Sequence, residues 1–253
     1  MKLITSGIKF LTYLLFSFFL IVLSSCDKKD DEEPPEIIND DIVRDFDGKT
    51  YKTIKIGDQW WMAENLKSKH YADGTEIPIA ESLIDWFYLE IEDKAFCYYA
   101  NSPSNGHTYG YLYNWVGAMN GENSSSSNPS NVQGICPIGW HLPSKEEWVE
   151  LIDHLDGIEV AGGKMKESGT EHWTEPNTGA TNSSGFTSLP GGAREAGGVF
   201  TSSLFGQANF WTATQDENDQ LSNRIVLNFN RVKVDISLAD KNNGNTVRCV
   251  KDK

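Results

Sequence analysis

The sequence is short of basic charge, of cysteine and of long apolar runs. It carries 22 Lys and Arg against 36 Asp and Glu in 253 residues, a formal charge of −14. Its basic residues are not clustered, so the phosphate neutralisation that holds a nucleic acid has no source, which argues against such a partner. Four cysteines are too few for a small disulfide-stapled scaffold, and they show no paired zinc spacing. The longest apolar run, Phe10 to Leu23, has 14 residues, whereas a membrane-spanning helix needs about 20. A polytopic membrane protein is therefore not expected. Gly-x-Ser-x-Gly and the phosphate-binding loop are both missing, and His70, His107, His141, His154 and His172 show no metal-ligand spacing. Neither a cofactor nor a metal is expected.

What is present begins with an address. Residues 1–25 read as a secretory signal, with Lys2 and Lys9 before the apolar run. Leu23-Ser24-Ser25-Cys26 resembles a lipobox, which makes Cys26 the lipidated N-terminus of the mature chain and the membrane its first partner. Residues 26–41 form an acidic tether, because Asp27 to Glu36 offers nothing apolar to offset the entropy of ordering. Its Lys-then-acid pattern resembles the surface-export signal of lipoproteins in the Bacteroidota; a plain charged spacer is the alternative. Removing residues 1–25 leaves a charge of −16, of which −6 lies in residues 27–41. The domain proper, residues 42–253, stays acidic.

Within that domain, Asp47-Gly48 and Gly57-Asp58 are turn signals around the alternating run Tyr51 to Ile56 and the strand Gln59 to Met62, so a hairpin is predicted. Residues 64–92 read as loop with a short extended piece, Ala95 to Tyr99 as a strand, and Tyr111 to Met119 as a short helix packing Leu112, Trp115 and Met119. Asn101 to Thr108 and Asn120 to Gln133 read as exposed loops. The strongest local signal is Ser144-x-x-Glu147, a capping box, followed by the stripe Trp148, Leu151, Ile152 and Leu155. That helix is predicted to stop at Asp156-Gly157, with a second short one over Ala161 to Glu167. Strands are predicted over Phe210 to Thr214, Asn223 to Phe229, Val232 to Ile236 and Thr246 to Val250.

Three cysteines remain after Cys26. A Cys136–Cys249 bridge is expected, because one cysteine opens the helical motif and the other closes the last strand; Cys97 is then a buried hydrophobe, with catalytic use the sharper alternative.

Five collinear blocks resemble the Fibrobacter succinogenes major paralogous domain: Asp47 to Leu66, Tyr109 to Trp115, Cys136 to Trp148, Gly185-Phe186 with Leu189 to Gly192, and Val247 to Val250. The resemblance implies an exported module. It also implies an α+β fold whose C-terminal half is C-type-lectin-like: small twisted antiparallel sheets, one main helix and long loops, preceded by an N-terminal β-hairpin extension. Cys136 and Cys249 match the cysteine arrangement of such folds.

Chemistry is harder to find. Leu142 to Trp148 is similar to a stretch of the sulfatase-modifying enzymes, but their reactive cysteine pair is missing, since only Cys249 lies near the C-terminus; the capping box explains the same residues. Glu175-Pro176-Asn177 matches a calcium and sugar motif of mannose-type lectins, yet one carboxylate and one amide fall short of the 6 to 8 oxygens calcium takes. For ligand contact the candidates are Trp173 and Trp211 with Glu175, Asn177, Arg194 and Asp216. The expected protein is a lipid-anchored envelope component of the outer membrane, with display on the outer face as an option. Its domain binds a glycan or a surface protein without turnover. A scaffold role in a surface assembly is the runner-up, and an enzyme comes third. A concave patch joining Trp173 to Trp211 favours the glycan, and a flat apolar patch favours the protein.

Overall fold

The computed structural model describes residues 42–200 and 204–253. The signal segment, Cys26 and the tether lie outside them. Strands β1 (Ile42–Arg44), β2 (Thr50–Ile56) and β3 (Gln59–Met62) run antiparallel, with Ile56 opposite Gln59 across the Gly57-Asp58 turn. This hairpin is no appendage. With β1 it supplies three of five strands in a sheet ordered β1-β2-β3-β10-β6, completed by β6 (Trp140–His141) and β10 (Val250–Lys251). A second sheet pairs β4 (Phe96–Cys97) with β5 (Leu112–Tyr113), and a third is the antiparallel meander β7 (Gln207–Gln215), β8 (Leu221–Asn228) and β9 (Val234–Asp240). The architecture is α+β, built of small antiparallel sheets with few and mostly short helices.

Among the described residues five α-helices connect them: α1 (Leu83–Phe87), α2 (Pro103–Tyr109), α3 (Trp115–Met119), α4 (Lys145–His154) and α5 (Ala161–Met165). The Ser144–Glu147 capping box opens α4, both reciprocal hydrogen bonds are made, and the stripe from Trp148 to Leu155 is buried. Gly157, at φ 89°, closes it by donating to the Ile152 carbonyl, as a left-handed cap should.

Three expectations are corrected. Residues 64–92 hold α1, which a Ser82–Asp85 capping box starts. Asn101 to Thr108 is mostly α2 rather than loop: Pro103 sits in the first turn, where a missing N–H costs nothing, and Gly106 lets the helix lie flat, since a Cβ there would stand 2.4 Å from the Tyr98 ring. The helix predicted from Tyr111 begins only at Trp115, because Leu112 and Tyr113 pair with β4 and the Asn114 side chain caps the turn that follows.

Strand β7 divides the interior. Successive side chains of a strand point to opposite faces. Ala208 and Phe210 accordingly join one core, with Trp61, Trp148, Trp173 and Val250, while Trp211 and Ala213 join the other, with Met62, Tyr113, Trp115 and Cys249. A third, small cluster gathers Trp86, Ala95, Cys97 and Leu112.

Candidate functional site

The division by β7 decides the fate of the two tryptophans. Trp173 is 2% exposed and Trp211 0%, and they belong to different cores. Each indole N–H is already used, Trp173 donating to the Ser188 carbonyl at 3.0 Å and Trp211 to that of Tyr113 at 2.7 Å. Neither presents a ring face to a ligand, so the platform expected to join them is corrected to core packing. Asp216 lies elsewhere, in the β7–β8 turn, where its carboxylate accepts from the Asn218 N–H. Glu175 is exposed, but Asn177 is turned inward and donates to the carbonyls of Glu167 and Gly169. The pair therefore cannot present adjacent oxygens to one cation. Among the described residues no cluster of three or more His, Cys, Asp or Glu could hold a metal ion.

Arg194 is also buried, and what it does there is informative. Its guanidinium donates to the carbonyls of Gly198 (2.9 Å), Ala80 (2.9 Å) and Ser82 (2.7 Å), and lies between the rings of Trp86 and Phe200. Two other cations are used alike. Arg248 donates to Asn65 Oδ1 and to the carbonyls of Met62, Phe186 and Thr187, and the Lys166 ammonium donates to those of Thr178, Asn228 and Arg231. The acceptors named are all neutral oxygens. Such a cation fixes loops that no ladder can hold, at the cost of its own desolvation. Burial, opposed by the charge of Glu64, pulls the Arg248 pKa down to about 9, which still leaves it charged at neutral pH.

His141 is a further structural device. Nε2 meets Glu147 Oε1 at 2.7 Å and Nδ1 meets Asp252 Oδ1 at 2.7 Å, so the imidazole ties β6 to the start of α4 and to the residue after β10. Burial pushes its pKa down, but the hydrogen bonds and charges of Glu147 and Asp252 together outweigh burial and raise it. A raised folded pKa gives stability that is fully present below the unfolded value of about 6.5 and is lost as pH climbs through the folded value. The urea midpoint should therefore be higher at pH 6 than at pH 9, and His141→Gln should remove this part of the slope. An unchanged slope in the variant would refute the assignment.

Cys97 is fully buried and burial pushes its thiol up to about 12, against a weaker opposing influence from Arg194, so it is not a thiolate at neutral pH. A shallow cleft of about 490 Å³ lies between the Gly57 turn and α4, lined by Ile56, Asp58, Gln59, Glu150 and His154.

The surface that does stand out is α1. Trp86 is its single buried residue and donates from its indole to the Asn242 carbonyl at 2.9 Å, while Arg194 grips the chain at Ala80 and Ser82. Fixed at both points, the helix holds Leu83, Ile84, Phe87 and Tyr88 in water at 47, 59, 55 and 70% exposure. Around them Glu81, Asp85, Glu90, Glu92 and Asp93 are all exposed, and residues 81–93 contain no Lys or Arg. Soluble monomers seldom keep a contiguous apolar patch of this kind without a use for it. Sequence reasoning missed this surface, although the Ser82-x-x-Asp85 box and the lysine-free run were both readable.

Fold and surface together define a disulfide-closed α+β domain with an exposed apolar helix face. The chain belongs to the Fibrobacter succinogenes major domain family, whose model matches residues 54–251. No curated protein and no solved structure matches it.

Proposed function

We propose that this is a lipid-anchored envelope protein, held to the outer membrane through Cys26 and facing outward, whose domain binds another protein through α1 without turnover. The rigid mount of α1 carries the reading. Burying a large apolar side chain is worth about 1.5–3 kcal/mol, and here four are kept in water by a buried Trp and a buried Arg. The acidic rim selects the partner by charge: an apolar groove edged with Lys or Arg. Anchoring and outward display rest on the Leu23 to Cys26 motif and the acidic tether. The C-type-lectin-like reading of the C-terminal half draws support from α4 following the Leu142-Pro143-Ser144 motif and from the bridge between Cys136 and the residue before β10.

The test places a photo-crosslinking residue at Tyr88 of the full chain in intact cells. The expected adduct is with one protein, through a peptide that combines apolar residues with Lys or Arg. Glu90→Lys with Glu92→Lys should reduce it about tenfold, equivalent to ~1.4 kcal/mol. Cys26→Ser should release the chain from the membrane pellet. Adducts with lipid alone, no adduct, or an adduct indifferent to the charge reversal would sink the proposal.

A further inference from the structure

Phe205 occupies a backbone conformation that a bulky residue avoids. Its φ is 73°, whereas six of the other eight described non-glycine residues with positive φ are Asn or Asp, the types that tolerate this region. Such a conformation costs of order 1–3 kcal/mol and persists only where its surroundings impose it. They do so here. The Phe205 N–H donates to the Pro190 carbonyl at 3.2 Å, and the Phe205 carbonyl accepts from the Thr174 N–H at 2.7 Å. The ring gains little burial in return, being 45% exposed. A glycine at this position would fold with less strain and expose less apolar surface, so folding alone does not account for the side chain.

The ring is braced rather than loose. It stands edge-on to Tyr109 with centroids 5.7 Å apart, and Tyr109 stands edge-on to His172, also at 5.7 Å. His172 Nδ1 sits 3.0 and 2.9 Å from the two oxygens of Glu167. Burial, then the charges of Glu167 and Glu171, push the Tyr109 hydroxyl above its ordinary pKa, which places both carboxylates near this shelf. Glu175 follows Thr174, whose N–H is bonded to Phe205, and is exposed.

The geometry points to a glycan-binding subsite in which the C–H face of an uncharged sugar stacks on Phe205 and its hydroxyls meet Glu167, His172 and the neighbouring carboxylates. A pre-set aromatic face with a few convergent acceptors suits a sugar ring, which offers weakly positive C–H groups on one face and donor hydroxyls around its rim. Three carboxylates on an acidic domain repel uronates and sulfated sugars, so the ligand class is neutral. The subsite uses none of the α1 surface and stands or falls independently of the protein-docking reading.

The test is retention of the full chain, in detergent, on immobilised xylan, mannan and β-glucan, with polygalacturonate as the anionic arm. Retention is expected on at least one neutral polysaccharide and not on polygalacturonate. Phe205→Gly should lower it at least tenfold while raising the thermal midpoint, and Phe205→Trp should preserve it. The Glu90→Lys, Glu92→Lys variant should bind as well as the parent. Absence of retention on all three neutral polysaccharides, retention on polygalacturonate, retention untouched by Phe205→Gly, or a lower thermal midpoint in that variant would each overturn the proposal, the last because the ring would then be part of the core.

Discussion

Arg248→Met should destabilise the domain by about 4 kcal/mol or more, because it leaves four buried acceptors without a donor and each such group costs about 1–3 kcal/mol. Four acceptors depend on this guanidinium: Asn65 Oδ1 at 2.7 Å, and the carbonyls of Met62 at 2.9 Å, Phe186 at 2.6 Å and Thr187 at 2.9 Å. They come from the β3 region, from the glycine-rich segment around residue 186 and, through the bond from Asn65 to the Tyr109 carbonyl, from the end of α2. Methionine keeps much of the stem's volume and its packing on Phe186, so the loss reports the hydrogen bonds rather than a cavity. Against a total stability of about 5–15 kcal/mol, that is enough to leave the variant marginal. Arg248→Lys retains the charge and should still lose most of the effect, because an ammonium has three donors on one atom and cannot span four acceptors set around a planar fork. Urea unfolding followed by tryptophan fluorescence measures both variants. A loss below about 1 kcal/mol for Arg248→Met would show that water replaces the guanidinium without cost.

The second large effect is expected from Cys136→Ser with Cys249→Ser. The bridge joins residues 113 apart, and closing a loop of that length is worth up to about 4–5 kcal/mol in the chain-entropy model. The double variant should unfold at a clearly lower urea concentration, and the parent should match it once reduced. Cys249 adjoins Arg248, and the two hold the same stretch of chain against β3. Their losses should therefore not add: the triple variant should fall short of the sum by 0.5 kcal/mol or more, the scale of coupling between residues in one network. Strict additivity would separate the two devices.

How much of this could be read from the chain depends on how local each cause is. The capping box at Ser144 and Glu147 and the stripe behind it lie within a dozen residues, and α4 follows them closely. The Gly57-Asp58 hairpin is equally local. The Cys136–Cys249 bridge was expected from the places of its cysteines, one opening the helical motif and the other closing the last strand, and it is formed. Helix α1 was hidden because Trp86 alone points inward, so it leaves no stripe with helical period, and α2 because Ser102-Pro103-Ser104-Asn105-Gly106 has the composition of a loop. Trp173 and Trp211 misled for another reason. Their neighbours in sequence are polar, but β7 carries Trp211 between two layers and Ser188 reaches the indole of Trp173 from 15 residues away. Arg194 suggested a ligand because its shortest bonds go to backbone carbonyls, which every residue has and no sequence pattern marks.

Strand β10 is the last of the domain's strands to be made, yet it lies between β3 and β6, which come far earlier in the chain. A chain still lacking residues 248–252 lacks the Arg248 clamp, one half of the bridge, the strand that joins the hairpin to β6, and the carboxylate of Asp252 on His141. All four closures require residues 248–252. Non-local closure of this kind slows folding. Until residues 248–252 are in place, β1 to β3 therefore have no strand to join them to β6.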